Sequence, residues 1–130
     1  MRKGSERVLV VHGTADIAES AEEGLRLGGF EALLTDDPER AGWIAAELRA
    51  DAVVLDLSIT RCDVLDLATA LRGHPRTQDL PIVALVDDDA RDAVVYAKAR
   101  GCDAVVSDRD AIARTVERRL TKKRTRRRAA

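Results

Sequence analysis

Asp51-Ala52-Val53-Val54-Leu55-Asp56-Leu57 is a continuous apolar run with a carboxylate near each end and no alternation of apolar and polar residues. A strand with one wet face would alternate, so this run reads as a strand covered on both faces, the position strands take in a parallel sheet flanked by helices. Working outward, Val8-Leu9-Val10-Val11 and Leu80-Pro81-Ile82-Val83-Ala84-Leu85-Val86 have the same character. Pro81 stands where a strand begins, so no ladder donor is lost. Phe30 to Thr35 and the short Ala104-Val105-Val106 complete five strands.

The segments between them carry helical spacing. Ile17, Ala21 and Leu25 share a face after a cap at Thr14 or Asp16, and Gly28-Gly29 stops that helix, because a left-handed residue costs least at glycine. Asp36-Asp37-Pro38-Glu39 starts the second helix, with Ala41, Ile44, Ala45 and Leu48 inward. Val64, Leu67, Ala68 and Leu71 mark the third, closed by Gly73-His74-Pro75. Asp87-Asp88-Asp89 caps a fourth, with Ala90, Ala93, Val94 and Ala97 inward and Gly101 at its end. Ile112, Val116 and Leu120 mark the fifth. Strand and helix alternating five times predicts a doubly wound, flavodoxin-like (βα)5 domain of class α/β with strand order 2-1-3-4-5. In that order the carboxyl ends of strands one and three meet, which places His12, Gly13 and Asp56 on one rim.

Composition narrows the class. At 130 residues the chain is the size of one domain, and with three aromatic residues (Phe30, Trp43, Tyr96) its core is aliphatic. No apolar run reaches the roughly 18 residues that span a bilayer, and the amino-terminal residues lack a signal-peptide core, so a cytoplasmic location is expected. Cys62 and Cys102 stand in no metal-binding or redox spacing and read as free thiols. Charge is segregated. Residues 121–130 carry six basic side chains and no acid, which leaves 16 basic against 23 acidic side chains in residues 1–120. The expected organisation is a domain over 1–120 followed by a basic, disordered tail over 121–130.

Four pieces in order, Val8-Leu9-Val10-Val11, Asp51 to Leu57, Arg72-Gly73-His74-Pro75-Arg76-Thr77-Gln78-Asp79-Leu80-Pro81-Ile82-Val83-Ala84-Leu85 and Ala99-Arg100-Gly101-Cys102-Asp103-Ala104, resemble the receiver domain of bacterial two-component response regulators, a CheY-like fold. The likeness covers about residues 6–120 and implies that Asp56 stands at the phosphoacceptor position. Receivers pair that Asp with two acids after strand one that hold Mg²⁺, because a hard cation with oxygen ligands offsets the incoming phosphate. They also place a hydroxyl after strand four and a Lys after strand five.

This chain departs from the pattern at each of those positions. The acidic pair becomes His12 and Gly13, the hydroxyl Val86, the small residue after it Asp87, the Lys Asp108 and the following Pro Arg109. The aromatic of strand five becomes Val105, and the Pro and Gly of the loop after Asp56 become Thr60 and Val64. A Lys about 5 Å from the phosphoryl group attracts it by roughly 3 kcal/mol at an effective dielectric of about 20, and an Asp there would repel it by as much. The sequence therefore predicts a degenerate, phosphorylation-impaired receiver. Its acids at the ends of strands three, four and five are expected to converge on a pocket without a cation. Asp56, Asp87 and Asp108 are also the one alternative set of oxygen ligands for Mg²⁺, weighed against the helix-capping role that strand-end acids commonly take. An active phosphoacceptor using Asp56 with such an unusual metal site stays open as the alternative.

No nucleophile with a base and no phosphate-cradling glycine loop occurs, so an enzyme is not expected. The resemblance implies protein partners, a histidine kinase or a second copy, at the face formed by the fourth helix, fifth strand and fifth helix, residues 90–120, where Tyr96 and Val105 lie. The basic tail adds weak, non-specific attraction for nucleic acid, and no membrane contact is expected.

Overall fold

The computed structural model describes residues 5–87 and 91–129. Five parallel strands, β1 (Arg7–Val11), β2 (Glu31–Thr35), β3 (Ala52–Asp56), β4 (Ile82–Leu85) and β5 (Ala104–Val106), form one sheet in the order β2-β1-β3-β4-β5. The helices are α1 (Ala15–Leu27), α2 (Pro38–Glu47), α3 (Leu65–Arg72), α4 (Arg91–Ala99) and α5 (Ile112–Ala129), and a 3-10 turn, Arg109–Ala111, leads into the last. The flavodoxin-like architecture read from the apolar runs is the one observed.

The strands are apolar throughout because they serve two cores. Val8, Val10, Val54 and Val83 face one layer, packed by Ile17, Ala21 and Leu25 of α1 and Ile112, Val116 and Leu120 of α5. Leu9, Val11, Val53, Leu55, Ile82 and Ala84 face the other, packed by Ala41 and Ala45 of α2, Leu67, Ala68 and Leu71 of α3 and Ala97 of α4. Alanine at so many helical contact points lets the helix axes approach the sheet closely, and each added methylene there would have to displace a neighbour.

Local signals act as expected. The Thr14 hydroxyl accepts from Ile17 N at 3.2 Å and the Asp37 carboxylate from Glu39 N at 3.0 Å, each capping its helix. Gly29, φ 89°, turns the chain from α1 into β2. For α3 the cap is Asp63, whose carboxylate accepts from Leu65 N at 3.0 Å. Asp88, Asp89 and Ala90, read as part of the fourth helix's start, lie outside the described residues.

One expectation is corrected. Residues 121–129, read as a disordered tail, continue α5 without a break. Lys and Arg are good helix formers, and Arg124 is tied back to Glu6, with Glu117 one side at 3.9 Å, so the segment inherits a helix already nucleated on the core. The Glu6 contact also holds the Arg124 guanidinium above its ordinary pKa.

Candidate functional site

Asp56 closes β3, opposite Leu85 of β4, and is 1% exposed. Burying a carboxylate is costly unless its oxygens are hydrogen-bonded, and here both are. Gly13 N donates to Oδ2 at 2.8 Å. Ser58 donates twice to Oδ1, from its backbone N at 2.9 Å and its hydroxyl at 2.6 Å. Asp56 thus fastens the β1-α1 loop to the β3-α3 loop. The approach at Gly13 is tight: a Cβ there would stand 3.0 Å from Ile59 Cγ1 and 3.2 Å from Asp56 Oδ2. A side chain at this position would meet the contact that the carboxylate uses.

His12 follows β1, and its backbone N donates to Thr35 O at 3.0 Å. Its Nδ1 is buried and has no hydrogen-bond partner among the described residues. Val86 is buried and apolar where a hydroxyl would act, its N bonded to Val106 O at 2.9 Å. Asp87 and Asp108 are both exposed. Asp108 accepts from Asp110 N at 2.9 Å, capping the 3-10 turn. Arg109 turns to α1 and donates to Asp16 Oδ2 at 2.8 Å and Ser20 Oγ at 3.0 Å. Arg61, in the β3-α3 loop, donates to the Asp36 carbonyl. Among the described residues, no Lys or Arg forms an ion pair with Asp56.

Among the described residues no three His, Cys, Asp or Glu side chains stand close enough to hold a metal ion, so Asp56, Asp87 and Asp108 do not form the alternative Mg²⁺ site. Asp108 spends its carboxylate on the turn that follows it, and its exposure screens the repulsion that burial would have made large. The rim does not fit the Mg²⁺ of the family pattern either. A histidine and a glycine follow β1 where the family pattern has acids, and the Asp56 carboxylate is taken up by N–H and O–H donors.

Ser58 was not singled out from the sequence, although a hydroxyl two residues after an Asp is a recurrent local turn partner. Also missed was the end of the sheet opposite the rim. Arg72 donates there to the carbonyls of Gly101, Gln78 and Leu80 and to Asp103 Oδ2 at 2.6 Å, while Asp103 Oδ2 also accepts from Ile82 N at 2.8 Å. On the α4-β5-α5 face Tyr96 is 55% exposed, but Arg100 covers it, 5.6 Å from the ring centre and bonded to its hydroxyl at 2.8 Å. Arg100 reaches Asp63 and Asp66 of the α3 start as well, and the Asp63 bond raises its pKa. Val105 is half-buried.

Strand order, a carboxylate at the end of β3 and the rim loops around it define a receiver-type domain. No protein-family model matches the chain. It is 38% identical over 99 residues to the transcriptional regulatory protein PrrA of Mycobacterium tuberculosis, covering 76% of this chain and 42% of that one. To the response regulator MprA of the same organism it is 36% identical over 104 residues, covering 80% and 43%. The chain thus spans less than half the length of these curated relatives. Among solved structures it resembles the chemotaxis protein CheY4 of Vibrio cholerae (TM-score 0.79, 19% identity, 88% of this chain and 98% of that chain). It also resembles the receiver domain of the sensor histidine kinase PA1611 of Pseudomonas aeruginosa, solved with magnesium in its active site cleft (TM-score 0.80, 20% identity, 91% and 99%). The chain thus has the receiver fold, and the relatives it matches include a named response regulator.

Proposed function

We propose that this receiver domain works as a phosphorylation-independent interaction module, regulating a cytoplasmic protein partner through its surface. The observation that carries the reading is the state of Asp56: both oxygens are held by donors from Gly13 and Ser58, with no second acid, no hydroxyl at Val86 and no ion-paired cation beside it. Phosphoryl transfer to a carboxylate needs an oxygen freed for attack and positive charge to stabilise the transferring group. Here the attacking atom would first give up its bonds, one at Oδ2 or two at Oδ1, and no ion-paired cation among the described residues replaces them.

The partner surface is the α4-β5-α5 face, where Val95 and Tyr96 are exposed apolar side chains. A histidine kinase or a second copy of the chain is the partner class, since interface cores favour such anchors. Incubation with acetyl phosphate and Mg²⁺, followed by intact-mass measurement, tests the reading. Unmodified protein is expected, and stoichiometric phosphate lost in Asp56→Ala would instead establish an active phosphoacceptor with an unusual metal arrangement.

A further inference from the structure

The described charges are separated in space as well as in sequence. Within α5, residues 112–129 hold nine Lys and Arg side chains and one acid, Glu117, while the remainder of the chain holds 13 basic and 22 acidic side chains. Because the segment is helical, its charges are arrayed rather than dispersed. Arg114, Arg118, Lys122 and Arg126 recur every fourth residue along about 18 Å of the exposed side. None of these four forms an ion pair among the described residues, whereas Arg119 and Arg124 are held by Asp103 O and by Glu6. Next to the stripe, Thr115, Thr121 and Thr125 line a cleft of about 700 Å³ against Ala104 of β5. Asp79 and Asp103 stand at one margin of the patch, and Asp103 is already paired with Arg72.

We propose that the outer face of α5 binds the phosphate backbone of double-stranded nucleic acid without regard to sequence. Guanidinium, ammonium and threonine hydroxyl groups are the donors that engage phosphates, and a duplex offers one charge per about 1.7 Å of axis, so each basic residue of the stripe has a phosphate within reach. The body of opposite sign orients the molecule with α5 toward the duplex. Burial first, and the neighbouring Arg127 second, push the Lys123 ammonium below its ordinary pKa.

Other occupants fit less well. Single-stranded nucleic acid is held by stacking on aromatic rings, and α5 has none. A protein interface centres on apolar anchors and is poor in Lys, and a membrane-surface helix needs an apolar face, but beyond Leu120 α5 has no buried residue and no apolar side chain larger than Ala. The proposal is independent of the chemistry at Asp56.

The test is fluorescence anisotropy of two labelled duplexes of about 20 base pairs and unrelated sequence, with the full chain, from about 50 to 200 mM salt. Both duplexes should bind with similar affinity, and the plot of log affinity against log salt should slope by about −3 to −4, roughly 0.9 for each phosphate neutralised. The variant R118A/K122A/R126A should lose more than tenfold in affinity and flatten the slope by two to three, about 0.9 per charge removed. Its far-ultraviolet circular dichroism should be unchanged, because the three side chains are exposed and unpaired. Arg26→Ala, on α1, should bind as the unaltered chain does. Absence of duplex binding at the lowest salt, or binding that the triple variant retains, overturns the proposal. So does a salt-sensitive dimer in sedimentation that the triple variant abolishes while no duplex binds, which would seat α5 on the acidic body of a second copy.

Discussion

Asp56 and Asp103 are carboxylates at opposite ends of the same sheet, and the chain treats them differently. Asp103 shares one oxygen between the Arg72 guanidinium and the Ile82 amide. Asp56, far more deeply buried, has only neutral donors among the described residues, two amides and a hydroxyl. A cation beside a carboxylate stabilises its charge by Coulomb attraction. Amides and a hydroxyl stabilise it by geometry alone and leave no surplus positive charge for an arriving phosphate. Among the described residues, the guanidinium that pairs with a strand-end carboxylate stands at Asp103 and not at Asp56.

The largest effect that sharpens this contrast is expected at the Arg72 end. Arg72→Ala takes a donor from three carbonyls and a carboxylate and should lower unfolding stability by about 3–4 kcal/mol in urea denaturation, at about 1 kcal/mol for each of these acceptors. Asp56→Ala strands the Gly13 and Ser58 donors and should cost about 2–3 kcal/mol, with Asp56→Asn, which keeps one acceptor oxygen, near half of that. An Asp56→Asn protein more stable than the parent would break the comparison, since desolvation of the carboxylate would then outweigh its bonds.

A pH titration probes the Asp103 end further. Burial, with the adjacent Asp103 charge, pushes the Cys102 thiol up to about 11 from 9.0. The folded state then holds a proton that the unfolded state releases, so this contribution is complete below pH 9 and is lost as pH rises toward 11. The expected loss is about 2–3 kcal/mol between those values, at about 1.4 kcal/mol per pH unit, and it should vanish in Cys102→Ala. The smallest effect belongs to Gly13→Ala, whose Cβ would press on Ile59 and Asp56. It should lower stability by about 1 kcal/mol, a modest overpacking cost, and a neutral result would mean that the loop can yield enough to admit a side chain.

Much of this was legible in the chain itself. Continuous apolar runs such as Val8 to Val11 imply burial on two faces, and helices capped at Thr14 and Asp37 follow from side chains that reach their own backbone. These are local effects, and spacing reveals them. The rim was legible as a set of residues but not as an arrangement. Asp87 and Asp108 follow the ends of neighbouring strands, yet strand order does not state where a carboxylate turns once a closer amide, here Asp110 N, can satisfy it. Ser58 and Arg72 were missed because their importance lies in the partners they meet.

The order of residues alone determined the layered architecture, the position of Asp56 at a strand end, and the absence of the acid pair and lysine that its class employs. Folding decided the rest: that Asp56 is held by Gly13 and Ser58, that Arg100 lies over Tyr96, and that the basic residues after Leu120 form a helix with an ordered stripe of charge. The physical reason is range. Hydrophobic periodicity acts between residues a few positions apart, whereas hydrogen bonds and ion pairs are settled only when distant segments come within about 3 Å of one another.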